Sequence, residues 1–220
     1  RVKKAFVETY LSENGELSVK LQDIYAAALW YGLIPEKWEK KIADTLCEMI
    51  HENGNRLDTG FLGTPILLDT LTRYGHMDLA YTLLYQNKLP SWLYEVDHGA
   101  TTIWESWDGI SEKGKPKLAS YNHYALGSVC DFMHRYIIGI QRKDSGYRKI
   151  LISPQPDESL TYAKGSHITP YGLVSCSWKK ENGKYDLDVQ IPCNTTAEIK
   201  LPNGEKYTKG SGTYHFSCDI

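Results

Sequence analysis

The segment Thr101-Thr102-Ile103-Trp104-Glu105-Ser106-Trp107-Asp108-Gly109 puts a carboxylate between two indoles, with no Lys or Arg beside it. That combination suits a sugar site. Indole presents a broad apolar face with a polar edge, which stacks on the C–H face of a pyranose. A carboxylate accepts from hydroxyls or activates a water. Sugar hydrolysis normally takes two carboxyl groups, so Glu105 needs a partner. Trp104 and Trp107 each read as a sugar platform or as a core anchor. His123, in Asn122-His123-Tyr124-Ala125, can donate to or accept from a ring hydroxyl. A histidine opening an apolar helix equally serves to hold its loop. Asp108 would either tune Glu105 by like-charge repulsion or cap the turn at Gly109.

Other chemistries find less support. Asp97 and His98 would form a dyad only beside a nucleophile, and a Gly-x-Ser-x-Gly elbow is absent. Gly60 to Thr64 is loosely like a phosphate loop but lacks its Lys and a preceding strand. No His, Cys or Asp cluster has metal-ligand spacing, so neither metal nor cofactor is expected. Asn194-Thr195-Thr196 is a glycosylation triplet of a kind that arises by chance.

Composition narrows the class further. The 220 residues are 41% hydrophobic and 24% charged, with net charge -2, ordinary globular values. Nothing in that balance proposes nucleic acid or an anionic membrane as partner. Tyr and Trp are abundant, 16 and 6 against 4 Phe, as a carbohydrate groove or a half-buried surface would have them. The cysteines, Cys47, Cys130, Cys176, Cys193 and Cys218, are odd in number and lack a C-x-x-C pair. Reduced, mostly buried thiols are expected rather than a disulfide framework or a zinc site. No apolar run approaches the ~18 residues of a membrane span. The N-terminus shows no signal peptide, but it opens on Arg1-Val2 without a Met, so the natural start is expected upstream and localisation stays open.

The elements that must position these residues change character near residue 145. Before it the apolar period is helical. Residues 18–31 carry Val19, Leu21, Ile24, Tyr25, Ala28 and Leu29, with Ser18 as N-cap candidate. A second helix opens at Pro35, carries Trp38, Ile42, Leu46 and Met49 on one face, and ends at Asn53-Gly54. Residues 63–74 and 76–87 form another pair broken at Gly75. Residues 121–140 read as one long apolar helix. Between Leu89 and Leu118 the period fades, yet Trp92, Tyr94, Trp104 and Trp107, with Tyr121 just beyond, argue for an ordered functional loop. After Asp144-Ser145-Gly146 the period becomes two. Strands are expected at 149–152, 173–178 and 185–191, with tight turns at Glu181-Asn182-Gly183-Lys184 and Pro202-Asn203-Gly204-Glu205. An antiparallel sandwich follows.

Several blocks together resemble the bacterial α-L-rhamnosidases, inverting glycoside hydrolases. They are 26–35 (Ala-Ala-Ala-Leu-Trp-Tyr-Gly-Leu-Ile-Pro), 59–65 (Thr-Gly-Phe-Leu-Gly-Thr-Pro), Pro90-Ser91-Trp92-Leu93-Tyr94, 99–109 around Glu105, 122–125, and in the β part Ile152-Ser153-Pro154-Gln155-Pro156 and Pro170-Tyr171-Gly172. The resemblance runs through essentially the whole chain. It implies the second half of an (α/α)6 toroid over residues 1–142, followed by a C-terminal β-sandwich over 147–220. By position Glu105 resembles the family's general base, and His123 a residue that contacts the sugar. Trp104 and Trp107 flank the base as substrate-binding candidates. The family's general acid lies in an earlier block, Asp-x-x-x-Arg-x-Glu-Arg-x-Gly-Trp-x-Gly-Asp, which is absent from these residues. Leu21-Gln22-Asp23 stands where relatives often have Thr-Gln-Thr.

The resemblance therefore implies a C-terminal portion of an α-L-rhamnosidase acting on a rhamnose-containing glycan or glycoside. Its partner would be the missing N-terminal half of the catalytic domain. Alone, the chain should be inactive and expose apolar helical faces, which a homodimer is one way to cover. Two other readings stand beside it: a non-catalytic carbohydrate-binding or scaffold protein, and another toroidal hydrolase of the glucoamylase-like kind.

Overall fold

A computed structural model describes residues 1–220. The chain divides into two compact units, Arg1–Val129 and Cys130–Ile220. The first is helical. Its main elements are α1 (Val2–Tyr10), α2 (Gln22–Trp30), α3 (Glu36–Glu52), α4 (Thr64–Arg73), α5 (Met77–Leu84), α6 (Trp92–Asp97) and α7 (Tyr124–Gly127). α2 packs on α3 and α4, and α4 packs on α5 and α7. The α3 face expected from its spacing is the buried one: Ile42, Ala43, Leu46, Cys47 and Ile50 are inside. The helix ends at Asn53, and Gly54 turns the chain with φ +70°. α4 and α5 part at Gly75, with φ +90°, a conformation that glycine adopts without steric penalty.

Three expectations fail in this unit. Ser18 is not a cap: α2 starts four residues later, after Leu21 in extended conformation. α2 is anchored instead by its own first residue. Buried Gln22 donates to the Arg56 carbonyl (3.2 Å) and accepts from Asp58 N–H (2.9 Å). The irregular stretch from 89 contains a helix, α6, opened by Ser91, whose Oγ accepts from Tyr94 N–H. The long helix over 121–140 does not exist. Tyr121 and Asn122 lie in an irregular, bent segment before α7, and the helical residues split into α7, α8 (Val129–Phe132) and a π-helical stretch, Met133–Ile138. The interruption falls at Gly127-Ser128, where the Ser128 hydroxyl bonds back to the Ala125 carbonyl. α1 was not foreseen, and none of its residues is buried.

The second unit begins at Cys130, within α8, and continues into that π-helical stretch, which ends at Gly139 (φ +92°); a Cβ there would lie 2.4 Å from Pro154 N. The division falls earlier than where the period of two begins because this stretch is bonded to the strands: Trp178 Nε1 donates to the Ile137 carbonyl at 2.7 Å. The strands are β1 (Ile140–Arg142), β2 (Lys149–Ile152), β3 (Tyr162–Thr169), β4 (Gly172–Glu181), β5 (Lys184–Ile191), β6 (Thr196–Lys200), β7 (Lys206–Lys209) and β8 (Gly212–Asp219). They form two sheets, ordered β1-β2-β6-β7 and β3-β4-β5-β8. Alternation supplies the core: Val174, Cys176 and Trp178 from β4, and Tyr185, Leu187, Val189 and Ile191 from β5, are buried. Asn182 (φ +52°) and Gly183 (φ +74°) make the expected hairpin. Every pairing is antiparallel except β2 with β6, which run parallel.

No disulfide forms; Cys47, Cys176 and Cys218 are buried, Cys130 and Cys193 exposed. No helix is long and apolar enough to cross a membrane.

Candidate active site

The first unit builds one densely hydrogen-bonded loop, between α6 and α7. The segment 103–105 pairs with 120–123: Glu105 N–H donates to the Ser120 carbonyl and His123 N–H to the Ile103 carbonyl, both at 2.9 Å. The Thr102 hydroxyl donates to the Tyr121 carbonyl. The Tyr121 hydroxyl crosses the loop to the Gly109 carbonyl at 2.6 Å. Between these, 106–117 folds on itself through an Ile110–Pro116 bridge. Asp108 pairs with Lys117 (2.5 Å) and accepts from the Ser106 hydroxyl (2.7 Å). The Lys117 bond first, then that of Ser106, holds its carboxyl below the usual range. Asp108 thus ties the loop together through Lys117 and Ser106.

Glu105 is half-buried on this frame. Its Oε2 accepts from Ser120 N–H at 2.8 Å, and it takes part in no ion pair. Backbone and side chain of Glu105 are thus both held on Ser120. The two indoles divide their roles. Trp104 is 2% exposed. Its ring sits edge-on to Tyr121, with centroids 5.6 Å apart. It lies so close to Gly109 that a Cβ there would come within 2.9 Å. Trp104 is therefore an anchor of the loop. Trp107 is half-buried, meets Trp92 edge-on at 5.4 Å, and reaches the Thr59 carbonyl with Nε1 at 3.4 Å. Its bond connects the Glu105 loop to the 59–65 block.

His123 precedes α7 and accepts from Ala125 N–H with Nδ1. Its ring stacks between Phe61 (4.9 Å) and Tyr124 (5.1 Å). Phe61, Leu62, Leu118 and Tyr124 are all exposed, so the face around His123 is aromatic and open. The 59–65 block is held from below by Asp23, whose Oδ2 accepts from Gly60 N–H at 3.1 Å. Gly63 is required there, because a Cβ would fall 1.7 Å from Asp23 Oδ1.

One residue of the site escaped sequence reasoning. Glu95, on α6, is 1% exposed. Its Oε2 accepts from Trp104 N–H at 3.0 Å, while Oε1 is buried without a partner. Burial pushes the carboxyl up to about 7, against the pull of the Trp104 bond. The available signal was its place three residues after buried Trp92 in a Ser-capped turn. Asp97 is exposed, and His98 bonds through Nδ1 to the Tyr94 carbonyl, so the two form no dyad. No group of three or more His, Cys, Asp or Glu is placed to hold a metal.

The sequence profile of the bacterial alpha-L-rhamnosidase 6 hairpin glycosidase domain matches residues 1–137, well over half of the chain. The chain belongs to the bacterial α-L-rhamnosidase family. The family's C-terminal domain matches residues 139–216. An alpha-L-rhamnosidase of Streptomyces avermitilis is 41% identical over 205 residues, 92% of this chain but 20% of that protein. One from Formosa agariphila is 41% identical over 206 residues, 91% of this chain and 22% of that protein. Among solved structures, the Streptomyces avermitilis alpha-L-rhamnosidase complexed with L-rhamnose superposes with a TM-score of 0.95. It is 35% identical, and the match covers 99% of this chain and 23% of that one. The chain thus spans about a fifth of the length of the curated relatives it matches.

Proposed function

We propose that this chain supplies the water-activating half of an α-L-rhamnoside-cleaving site. The observation that carries the reading is Glu105 itself. It is a half-buried carboxylate pinned to Ser120 at 2.8 Å, free of any cation, with half-buried Trp107 and His123 on the same loop system. In an inverting reaction Glu105 takes a proton from water as the water oxygen bonds to the anomeric carbon. The bond from that carbon to the glycosidic oxygen breaks on the opposite face. The leaving oxygen receives its proton from a carboxylic acid held about 6.5–9.5 Å from Glu105. That acid belongs to a segment outside these residues.

Trp107 and His123 orient the sugar, the indole by stacking and the imidazole by hydrogen bonding. Trp104 acts indirectly, by fixing the loop. The open apolar residues Phe61, Leu62 and Leu118 and the unburied α1 are where the rest of the toroid packs. The chemistry needs no metal.

The test is Glu105→Gln in the protein that carries this chain together with the acid. Turnover of p-nitrophenyl α-L-rhamnoside should fall by about 10²–10⁴-fold, with rhamnose affinity by calorimetry unchanged. Retained turnover overturns the assignment, and so does rhamnose binding lost along with turnover. The 220-residue chain alone should release no nitrophenol.

A further inference from the structure

Glu95 has no part in the reaction just described, yet it is the most thoroughly buried carboxyl near Glu105, at 1% exposure. No cation compensates it; the influences on its carboxyl are burial and the Trp104 N–H. A buried acid with one oxygen unpartnered costs stability. Met or Leu would fill such a place more cheaply. What the carboxyl provides is one strong acceptor, 3.0 Å from Trp104 N.

That bond sits at a lever. The Trp104 ring is confined by Gly109 and Tyr121. The next residue is Glu105, held at both backbone and side chain by Ser120. α6 grips this loop at several points, with the Tyr94 hydroxyl on the Ile110 carbonyl and Trp92 against Trp107, and Trp104 N–H is the one next to Glu105 in the chain. A hydrogen bond to an ionised acceptor is shorter and about twice as strong as one to a neutral acceptor.

We propose that Glu95 is a positioning residue, which sets the placement of Glu105 by holding Trp104 N–H, most firmly when its own carboxyl is ionised. This rests on the reading of Glu105 as the base. Among the other charged groups around the loop, Glu112, Lys113 and Lys115 are exposed at its tip. Asp108 is paired with Lys117 and Ser106, and His98 bonds the Tyr94 carbonyl. His123 accepts from Ala125 N–H, Asp97 is exposed, and Glu105 is bonded to Ser120. Titration of Glu95 therefore reaches Glu105 through the backbone of Trp104.

Two measurements test it, one of which does not depend on turnover. In the ¹⁵N-labelled 220-residue chain, the Trp104 amide resonance should titrate with a midpoint close to pH 7 and be flat in Glu95→Gln. A flat wild-type resonance from pH 5.5 to 8.5 overturns the proposal. In the complete enzyme, Glu95→Met removes the acceptor and should lower kcat about tenfold, because small misplacements of a catalytic group cost rate, with KM within twofold. Glu95→Gln keeps an acceptor and should restore most of that kcat, while losing the rate change through neutral pH. An unchanged kcat in Glu95→Met overturns the inference, as does a loss matched by a loss of folded protein. If Glu105→Gln stays active, the reading of the base fails. If only the Glu95 variants are silent, the base reading survives and the positioning role alone is lost.

Discussion

Replacing Glu95 by Gln should change how the stability of the helical unit depends on pH. Burial raises the Glu95 carboxyl from its ordinary 4.5 to about 7, so the folded state holds this proton more tightly than the unfolded chain does. Below pH 4.5 both states are protonated and Glu95 adds no pH dependence. Between about 4.5 and 7 the unfolded chain ionises first, and stability falls as pH rises. Above 7 the loss is complete. At ~1.4 kcal/mol per pH unit the displacement corresponds to about 3 kcal/mol. Gln carries no such proton. The stability of Glu95→Gln relative to wild type should therefore rise by about 3 kcal/mol between pH 4.5 and 8. Urea unfolding followed by tryptophan fluorescence suits the measurement, since five of the six tryptophans, all but Trp178, lie in the helical unit. Parallel curves for the two proteins from pH 4.5 to 8 would refute a buried, proton-holding Glu95.

Gly63→Ala should destabilise the helical unit by about 2 kcal/mol, because its Cβ would collide with Asp23 Oδ1 and break the bond to Gly60. Adding Asp23→Ala should recover part of that loss, as a double-mutant cycle by urea unfolding would show; strict additivity would mean the collision is relieved elsewhere. In the β unit, Tyr185 is wholly buried and its hydroxyl has no partner. Tyr185→Phe should raise that unit's stability by about 1 kcal/mol, seen as a higher Tm by near-ultraviolet circular dichroism, and a lower Tm would mean the hydroxyl is bonded.

Much of this was readable from residue order, where one local rule decides. Asn182-Gly183 could only turn tightly, and the α3 face followed its spacing. The sharpness of the 99–109 block located the Glu105 loop. What was hidden depends on partners far along the chain. Tyr121 looked helical but lies in a bent segment bonded to the Glu105 loop, because the backbone bonds of its neighbours Ser120 and His123 and its own hydroxyl bond to Gly109 outweigh local propensity. Gln22 and Asp23 look like ordinary first-turn residues until Arg56, Asp58 and Gly60 arrive to meet them. The division of labour between Trp104 and Trp107 was equally invisible, since nothing nearby in sequence says which indole Tyr121 will cover. Glu95 was missed because a carboxyl is not expected on the inner face of a helix.

The lone parallel pairing, β2 beside β6, dictates when the β unit can come into being. Two strands running the same way cannot be joined by a hairpin, and residues 153–195, holding β3, β4 and β5, intervene before β6 is available. During synthesis, then, β1 and β2 must wait unsealed while β3, β4 and β5 of the other sheet emerge and pair. A nascent chain stopped short of Thr196 would carry Ile150 and Ile152 with nothing laid along their edge.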